Sequence, residues 1–135
     1  MDATRLDGRR VLIVDDDEDI LASMELAMQA EGAETERATD GNAAIAAWHQ
    51  FNPDAVVLDM MLPRRSGFLV LEKIVQSEAA PVVVMVTANQ GKRHMAYAQS
   101  IGVHAYLYKP VPLERLVDTL AELLEQQDEL RAAGT

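Results

Sequence analysis

Four short apolar runs, each ending on a residue able to do chemistry, constrain this chain more than any other feature. Val11-Leu12-Ile13-Val14 gives way to Asp15, Asp16, Asp17, Glu18 and Asp19; residues 55–58 end at Asp59; residues 82–86 end at Thr87; residues 103–108 end at Lys109. Runs that are apolar at every position belong to strands buried on both faces, and hence to a parallel sheet covered by helices on each side. The carboxyl ends of such strands open onto one edge, where residues distant in sequence converge. Carboxylates, a hydroxyl and an ammonium would share one pocket there. That set suits phosphoryl chemistry, because a hard divalent cation takes carboxylate oxygens and a transferred phosphoryl group takes cations and hydroxyl donors.

Between the runs lie longer segments of helical period, the pattern of repeated βα units. The periodicity predicts helices over residues 17–30, 42–51, 67–77 and 92–101, and a long final helix from Pro112. Strands are expected over residues 11–14, 33–38, 55–58, 82–86 and 103–108, the second being the weakest. Gly32 and Gly102 stand where helices should stop, and Asp40 where one should start. Five units of this kind make an α/β, doubly wound fold. Right-handed crossovers leave few strand orders, and a reversal of order opens a crevice at the carboxyl edge of the first and third strands, flanked by the acidic run and Asp59.

A length of 135 residues fits one domain with a core of its own. No cysteine is present, so disulfides and thiolate sites are excluded. No cationic leader and no apolar run near the roughly 20 residues of a membrane span is found, so a soluble, cytoplasmic chain is expected. A formal net charge of −10 repels phosphate backbones and anionic lipid surfaces, which argues against direct nucleic-acid or membrane binding.

The motifs Val14-Asp15-Asp16, Asp59-Met-Met-Leu-Pro63-Arg-Arg-Ser-Gly67, Thr87-Ala88 and Tyr106-Leu-Tyr-Lys109-Pro110 come in an order that resembles the receiver domain of bacterial two-component response regulators. The resemblance runs from about Arg10 to Glu125. It leaves residues 1–9 as an N-terminal tail and residues 126–135 as a helix extension or tail. It implies a single-domain (βα)5 flavodoxin-like fold with sheet order 2-1-3-4-5. It further implies a phosphoryl group accepted from a histidine kinase or phosphotransfer protein. Carried over by position, Asp59 is the phosphoacceptor; Asp15, Asp16, Asp59 and the Met61 carbonyl hold Mg²⁺; Lys109 pairs with the acceptor; and Thr87 with Tyr106 forms the switch. A cis bond between Lys109 and Pro110 is implied, and the small Ala88 leaves room for the phosphoryl group. Met61 and Asn89 occupy positions where the family varies its rate of dephosphorylation, and apolar Met61 suggests a long-lived phosphoryl group. The output face is the fourth helix, fifth strand and fifth helix, read by a protein target or an effector domain.

Asp17, Glu18 and Asp19 are read as helix-start carboxylates opposing the helix dipole. His49, His94 and His104 have no metal-ligand spacing and are expected to be solvated. Trp48 is assigned to packing and Arg64-Arg65 to a solvated loop. Continuation of the apolar pattern through Leu130 could form a homodimer seam or lead into an effector, with residues 132–135 as an ending or linker. The enzyme alternative is a small Mg²⁺-dependent haloacid-dehalogenase-like phosphatase with Asp15 as nucleophile, since residues 15–17 contain its Asp-x-Asp. Under the receiver reading the chain is a signalling domain acting only on its own phosphorylation state.

Overall fold

A computed structural model of the chain describes residues 4–88 and 91–134. Strands β1 (Arg10–Val14), β2 (Glu34–Ala38), β3 (Ala55–Leu58), β4 (Val82–Thr87) and β5 (Ala105–Tyr108) alternate with helices α1 (Glu18–Ala30), α2 (Gly41–Phe51), α3 (Gly67–Val75), α4 (Lys92–Ile101) and α5 (Leu113–Ala133). All strand pairs are parallel and their order is β2-β1-β3-β4-β5. This is the doubly wound, flavodoxin-like arrangement expected from the sequence.

Alternation along the strands divides the core into two layers, because successive side chains leave opposite faces of a sheet. Val11, Ile13, Val57, Val82, Val84 and Val86 face Leu21, Met24 and Met28 of α1 and Leu116, Leu120 and Leu124 of α5. Leu12, Val14, Val56, Leu58, Val83 and Met85 face Ala44 of α2, Val70, Leu71 and Ile74 of α3, and Ala98 of α4. Each such aliphatic side chain contributes about 1.5–3 kcal/mol when fully buried. Edge strand β2 reads Glu-Thr-Glu-Arg-Ala and buries only Ala38, which explains its weak signal.

Several ends differ from the sequence expectation. Helix α3 stops at Val75, and Ser77, expected to be helical, donates its hydroxyl to the Ile74 carbonyl at 2.6 Å, closing the helix end. Pro112 caps α5 rather than entering its first turn. Strand β5 begins at Ala105, because His104 completes the ladder with its ring. The His104 N–H donates to the Val83 carbonyl (2.9 Å), and His104 Nδ1 accepts from the Val83 N–H (3.0 Å), satisfying a donor that would otherwise face no strand. His104 is therefore a structural side chain rather than a merely solvated one.

Helix α5 continues to Ala133, past residues expected to end it. Arg9 reaches Asp128 (2.6 Å), while Gln127 Nε2 and Arg131 both donate to the Ala80 carbonyl. Packing also begins ahead of β1: Leu6 is fully buried, and Arg5 ties Glu31, which closes the end of α1, to Asp118 of α5. Among the described residues, no helix is long and apolar enough to cross a membrane.

Candidate phosphoryl-transfer site

The three central strands end together at one edge. Beyond β1, Asp15 is buried and Asp16 exposed. Asp15 Oδ1 accepts from the Asp17 N–H (2.9 Å), which holds the first carboxylate still as the chain turns into α1. Asp17 faces the other way: its Oδ1 accepts from the N–H groups of Asp19 (2.9 Å) and Ile20 (3.2 Å), capping α1. Glu18 and Asp19 occupy the first turn, where carboxylates oppose the helix dipole. The acidic run thus divides as expected into two residues at the pocket and three at the helix start.

Asp59 follows β3 and is only 5% exposed. Its Oδ1 accepts from the Met61 N–H at 3.3 Å. Gly67, opening α3, permits this tight return of the chain: a Cβ there would overlap the Asp59 carbonyl oxygen and lie 2.7 Å from Met60 Cα. The helix start near Gly67 was visible in the sequence; the close approach behind it was not. Ser66 caps α3 by accepting from the Leu69 N–H.

Lys109 crosses the edge from β5. Its Nζ donates to Asp15 Oδ2 at 2.6 Å and to Asp59 Oδ2 at 3.0 Å, and its backbone N–H donates to the Thr87 carbonyl at 2.9 Å. The Lys109–Pro110 bond is cis. Burial pushes the Asp15 carboxyl above its ordinary range, against the hydrogen bonds from Lys109 and the Asp17 N–H, while the neighbouring Asp59 charge adds to the rise. For Lys109, burial acts to lower the ammonium's pKa, but the bonds to Asp15 and Asp59 together outweigh it and the net shift is upward. The lysine stays charged.

Ligand oxygens of Asp15, Asp16 and Asp59 all lie within 4.8 Å of one another. Hard, anionic oxygens clustered around one point match the demand of Mg²⁺, which retains waters and needs few protein ligands. Beside this cluster, Thr87 is fully buried at the end of β4. Ala88 and Lys109 line a cavity of about 610 Å³ with Ile20, Met24 and Val111. A second hollow of about 490 Å³ opens on the other side, lined by Asp16, Met60, Met61, Leu62, Pro63 and Ser66.

Tyr106 sits further along β5, its ring edge-on to that of Tyr108 (5.5 Å between centroids) and its hydroxyl 3.8 Å from Met60 Sδ. Burial raises the Tyr106 phenol's pKa. Met61 is 63% exposed at the mouth. Asn89 lies outside the described residues. His49 stacks at a tilt on Trp48 (4.4 Å), which packs against the core, and His94 stacks on Phe68 (5.9 Å).

A doubly wound sheet that gathers three carboxylates, a buried lysine and a buried threonine at its carboxyl edge defines a class of phosphoryl-handling α/β domains. The family model of the response regulator receiver domain matches residues 11–121, and the chain belongs to that family. Its function is accordingly that of a phosphoryl-accepting signalling domain.

The transcriptional regulatory protein TrcR of Mycobacterium tuberculosis is 34% identical over 128 residues, covering 93% of this chain and 50% of that protein. The probable transcriptional regulatory protein TcrX of the same organism is 38% identical over 124 residues, covering 90% and 53%. The chain thus spans about half the length of these curated relatives. Among solved structures, a CheY-like receiver domain protein from Methanospirillum hungatei superposes with a TM-score of 0.86 at 30% identity, covering 90% of this chain and 97% of that one. The phosphatase alternative finds no support in these matches.

Proposed function

We propose that Asp59 is the phosphoacceptor, receiving its phosphoryl group from the phosphohistidine of a histidine kinase or phosphotransfer protein. One observation carries this reading: Asp59 lies buried at the carboxyl end of β3, with Lys109 Nζ 3.0 Å from one oxygen and the Asp15 and Asp16 carboxylates beside it. An Asp59 carboxylate oxygen attacks phosphorus in line, the P–N bond to the imidazole breaks, and the leaving imidazole takes up a proton. The product is an aspartyl phosphate.

Asp15, Asp16, Asp59 and the Met61 backbone carbonyl would hold Mg²⁺, which when bound neutralises charge on the transferring oxygens. Lys109 leaves its bond to Asp59 Oδ2 and binds a phosphoryl oxygen as a point charge. Thr87 donates its hydroxyl to another, and Ala88 leaves the entry open. As Thr87 moves toward Asp59, the Tyr106 ring turns into the space it leaves. Phosphorylation thereby shifts the population toward an active arrangement of α4, β5 and α5.

A protein target or effector domain reads that face, and homodimerisation is one use of it. The chain works in the cytoplasm, touches no nucleic acid directly, and acts on no substrate beyond its own phosphoryl group. Exposed, apolar Met61 beside the site supports slow hydrolysis, to be measured as a faster phosphoryl decay in Met61→Asn.

The test is incubation with acetyl phosphate and Mg²⁺, read by intact mass. One added phosphoryl group is expected on the parent, none on Asp59→Asn, and none in EDTA. Labelling that survives in Asp59→Asn, or hydrolysis of phosphate monoesters that depends on Asp15, would overturn the reading.

A further inference from the structure

We propose that the first turn of α2, through Gly41 and Asn42, is a positioning element for the acceptor site. It braces the loop after β3 in the shape that sets Met61 beside Asp59. The inference rests on the reading of Asp59 and Met61 given above.

The loop carries an unfavourable turn. Arg65 N–H donates to the Pro63 carbonyl at 2.8 Å, closing a three-residue turn, and Arg64 between them has φ 70°. A γ-turn of positive φ is the rare, strained form, and arginine has none of glycine's freedom there. Such a conformation persists only where the surroundings over-determine it.

The surroundings here belong to a different βα unit. Gly41 N–H is one of the donors that a helix's first turn leaves without an intrahelical acceptor, and it donates to the same Pro63 carbonyl at 3.2 Å. Asn42 Oδ1 accepts from Arg65 Nε at 3.1 Å. The Arg64 guanidinium stands 3.8 Å from Asp40 Oδ2, while Asp40 Oδ1 caps α2 by accepting from the Ala43 N–H at 2.8 Å. The loop backbone also presses directly onto Gly41: a Cβ at that position would overlap the Arg65 carbonyl oxygen and lie 2.7 Å from its carbonyl carbon.

At the loop's two ends, Met61 N–H donates to Asp59 Oδ1 (3.3 Å) and Gly67 N–H to the Met60 carbonyl (2.9 Å). The span between them therefore has its middle fixed from α2. Asp40, Gly41 and Asn42 do not themselves join the carboxylate cluster, so they act through the loop. Groups that orient a metal's ligands from behind commonly change its affinity by about 10- to 100-fold when removed.

The experiment compares Asn42→Ala, Asn42→Asp, Arg65→Ala and Gly41→Ala with the parent, using Mg²⁺ and acetyl phosphate. In Asn42→Ala and Arg65→Ala the Mg²⁺ concentration giving half-maximal labelling rises about tenfold. Labelling at saturating Mg²⁺ returns to the parent level. Asn42→Asp keeps the acceptor for Arg65 Nε and restores the parent requirement. Gly41→Ala shows the largest rise, because the loop backbone must move.

Amide exchange supplies a second readout. Residues 61–65 lose protection in the Ala variants, while the strands do not. Mg²⁺ binding followed by the amide shifts of residues 59–61 repeats the comparison without phosphorylation. A parent that binds Mg²⁺ but is never labelled defeats the acceptor reading and leaves this comparison intact. An unchanged Mg²⁺ requirement in the Ala variants, with or without faster exchange, overturns the positioning role, as does failure of Asn42→Asp to restore it.

Discussion

Asp15 shows at the level of one residue how the site's chemistry and the fold's stability oppose each other. Its carboxylate is almost wholly buried, close to two others and balanced by a single ammonium. Burial without a full complement of opposite charge is costly, and the fold bears that cost whenever no cation is present. In EDTA, Asp15→Asn should raise the thermal midpoint by about 2–5 °C, because the amide oxygen keeps the Asp17 N–H and the buried charge is gone, while Lys109, which the amide NH2 cannot accept from, keeps its bond to Asp59. Mg²⁺ should stabilise the parent and leave the variant unmoved. A lower midpoint for the variant in EDTA would show that the Lys109 bond outweighs the burial of the charge.

His104 gives the complementary case of a neutral group. Burial lowers its pKa, and Nδ1 can accept from the Val83 N–H only while unprotonated, so folding favours the uncharged ring. The stability it contributes is present above the unfolded value near 6.5 and is lost as pH falls through the lower folded value. Melting curves taken between about pH 7.5 and pH 5 should show a decline that flattens in His104→Asn, whose side-chain oxygen can accept from Val83 without titrating. Equal slopes in the two proteins would remove His104 from the account.

What the sequence made legible at this scale was position along the chain. Asp15, Asp16, Asp59, Thr87 and Lys109 announced themselves because each ends a strand, and strand ends share an edge. His104 and the Gly41 contact left no such sign, since each depends on a neighbour from another unit.

At the scale of the element, regularity decided what could be foreseen. Helix α4 has the bounds its periodicity gave, Lys92–Ile101, with Gly102 closing it. Strand β2, polar at four of five positions, was weak because it lies at the sheet edge and buries only one side chain. Helix α5 carries the pattern that continues through Leu130 and runs on to Ala133, where Arg9 and the Ala80 carbonyl give its polar last turns partners.

Those partners are weak ones. The Arg9–Asp128 pair is partly exposed, so Asp128→Ala should cost less than about 1 kcal/mol of global stability. The same variant should lose amide protection in residues 126–133 alone, since local opening of a helix end needs far less free energy than unfolding. Loss of protection spreading into β4 would mean that the end of α5 is coupled to the core more tightly than its side chains suggest.

For the whole molecule, the open question is how a charge placed at the carboxyl edge reaches a surface that partners can read. The edge and that surface share β5, which supplies Lys109 to the site and Tyr106 and Tyr108 to its flank. Tyr108 extends the connection to α4, its hydroxyl lying 3.4 Å from Met95 Sδ, while Tyr106 contacts Met60, the residue after Asp59. Two rings at an edge-to-face angle cannot both hold their places if one turns inward, so under the proposed switch an inward turn of Tyr106 would be passed to Tyr108 and then to α4.

A coupling of this kind is typically worth about 1–3 kcal/mol, enough to shift a population without remaking the fold. Tyr106→Leu keeps an apolar side chain but removes the edge-to-face contact and the hydroxyl. It should accept phosphoryl from acetyl phosphate at nearly the parent rate. The change in amide exchange that phosphorylation causes in α4 and β5 should fall by at least about threefold relative to the parent. If labelled Tyr106→Leu instead reproduces the parent's full exchange pattern, the signal leaves the site by another route, and the loop joining β4 to α4 becomes the element through which Thr87 acts.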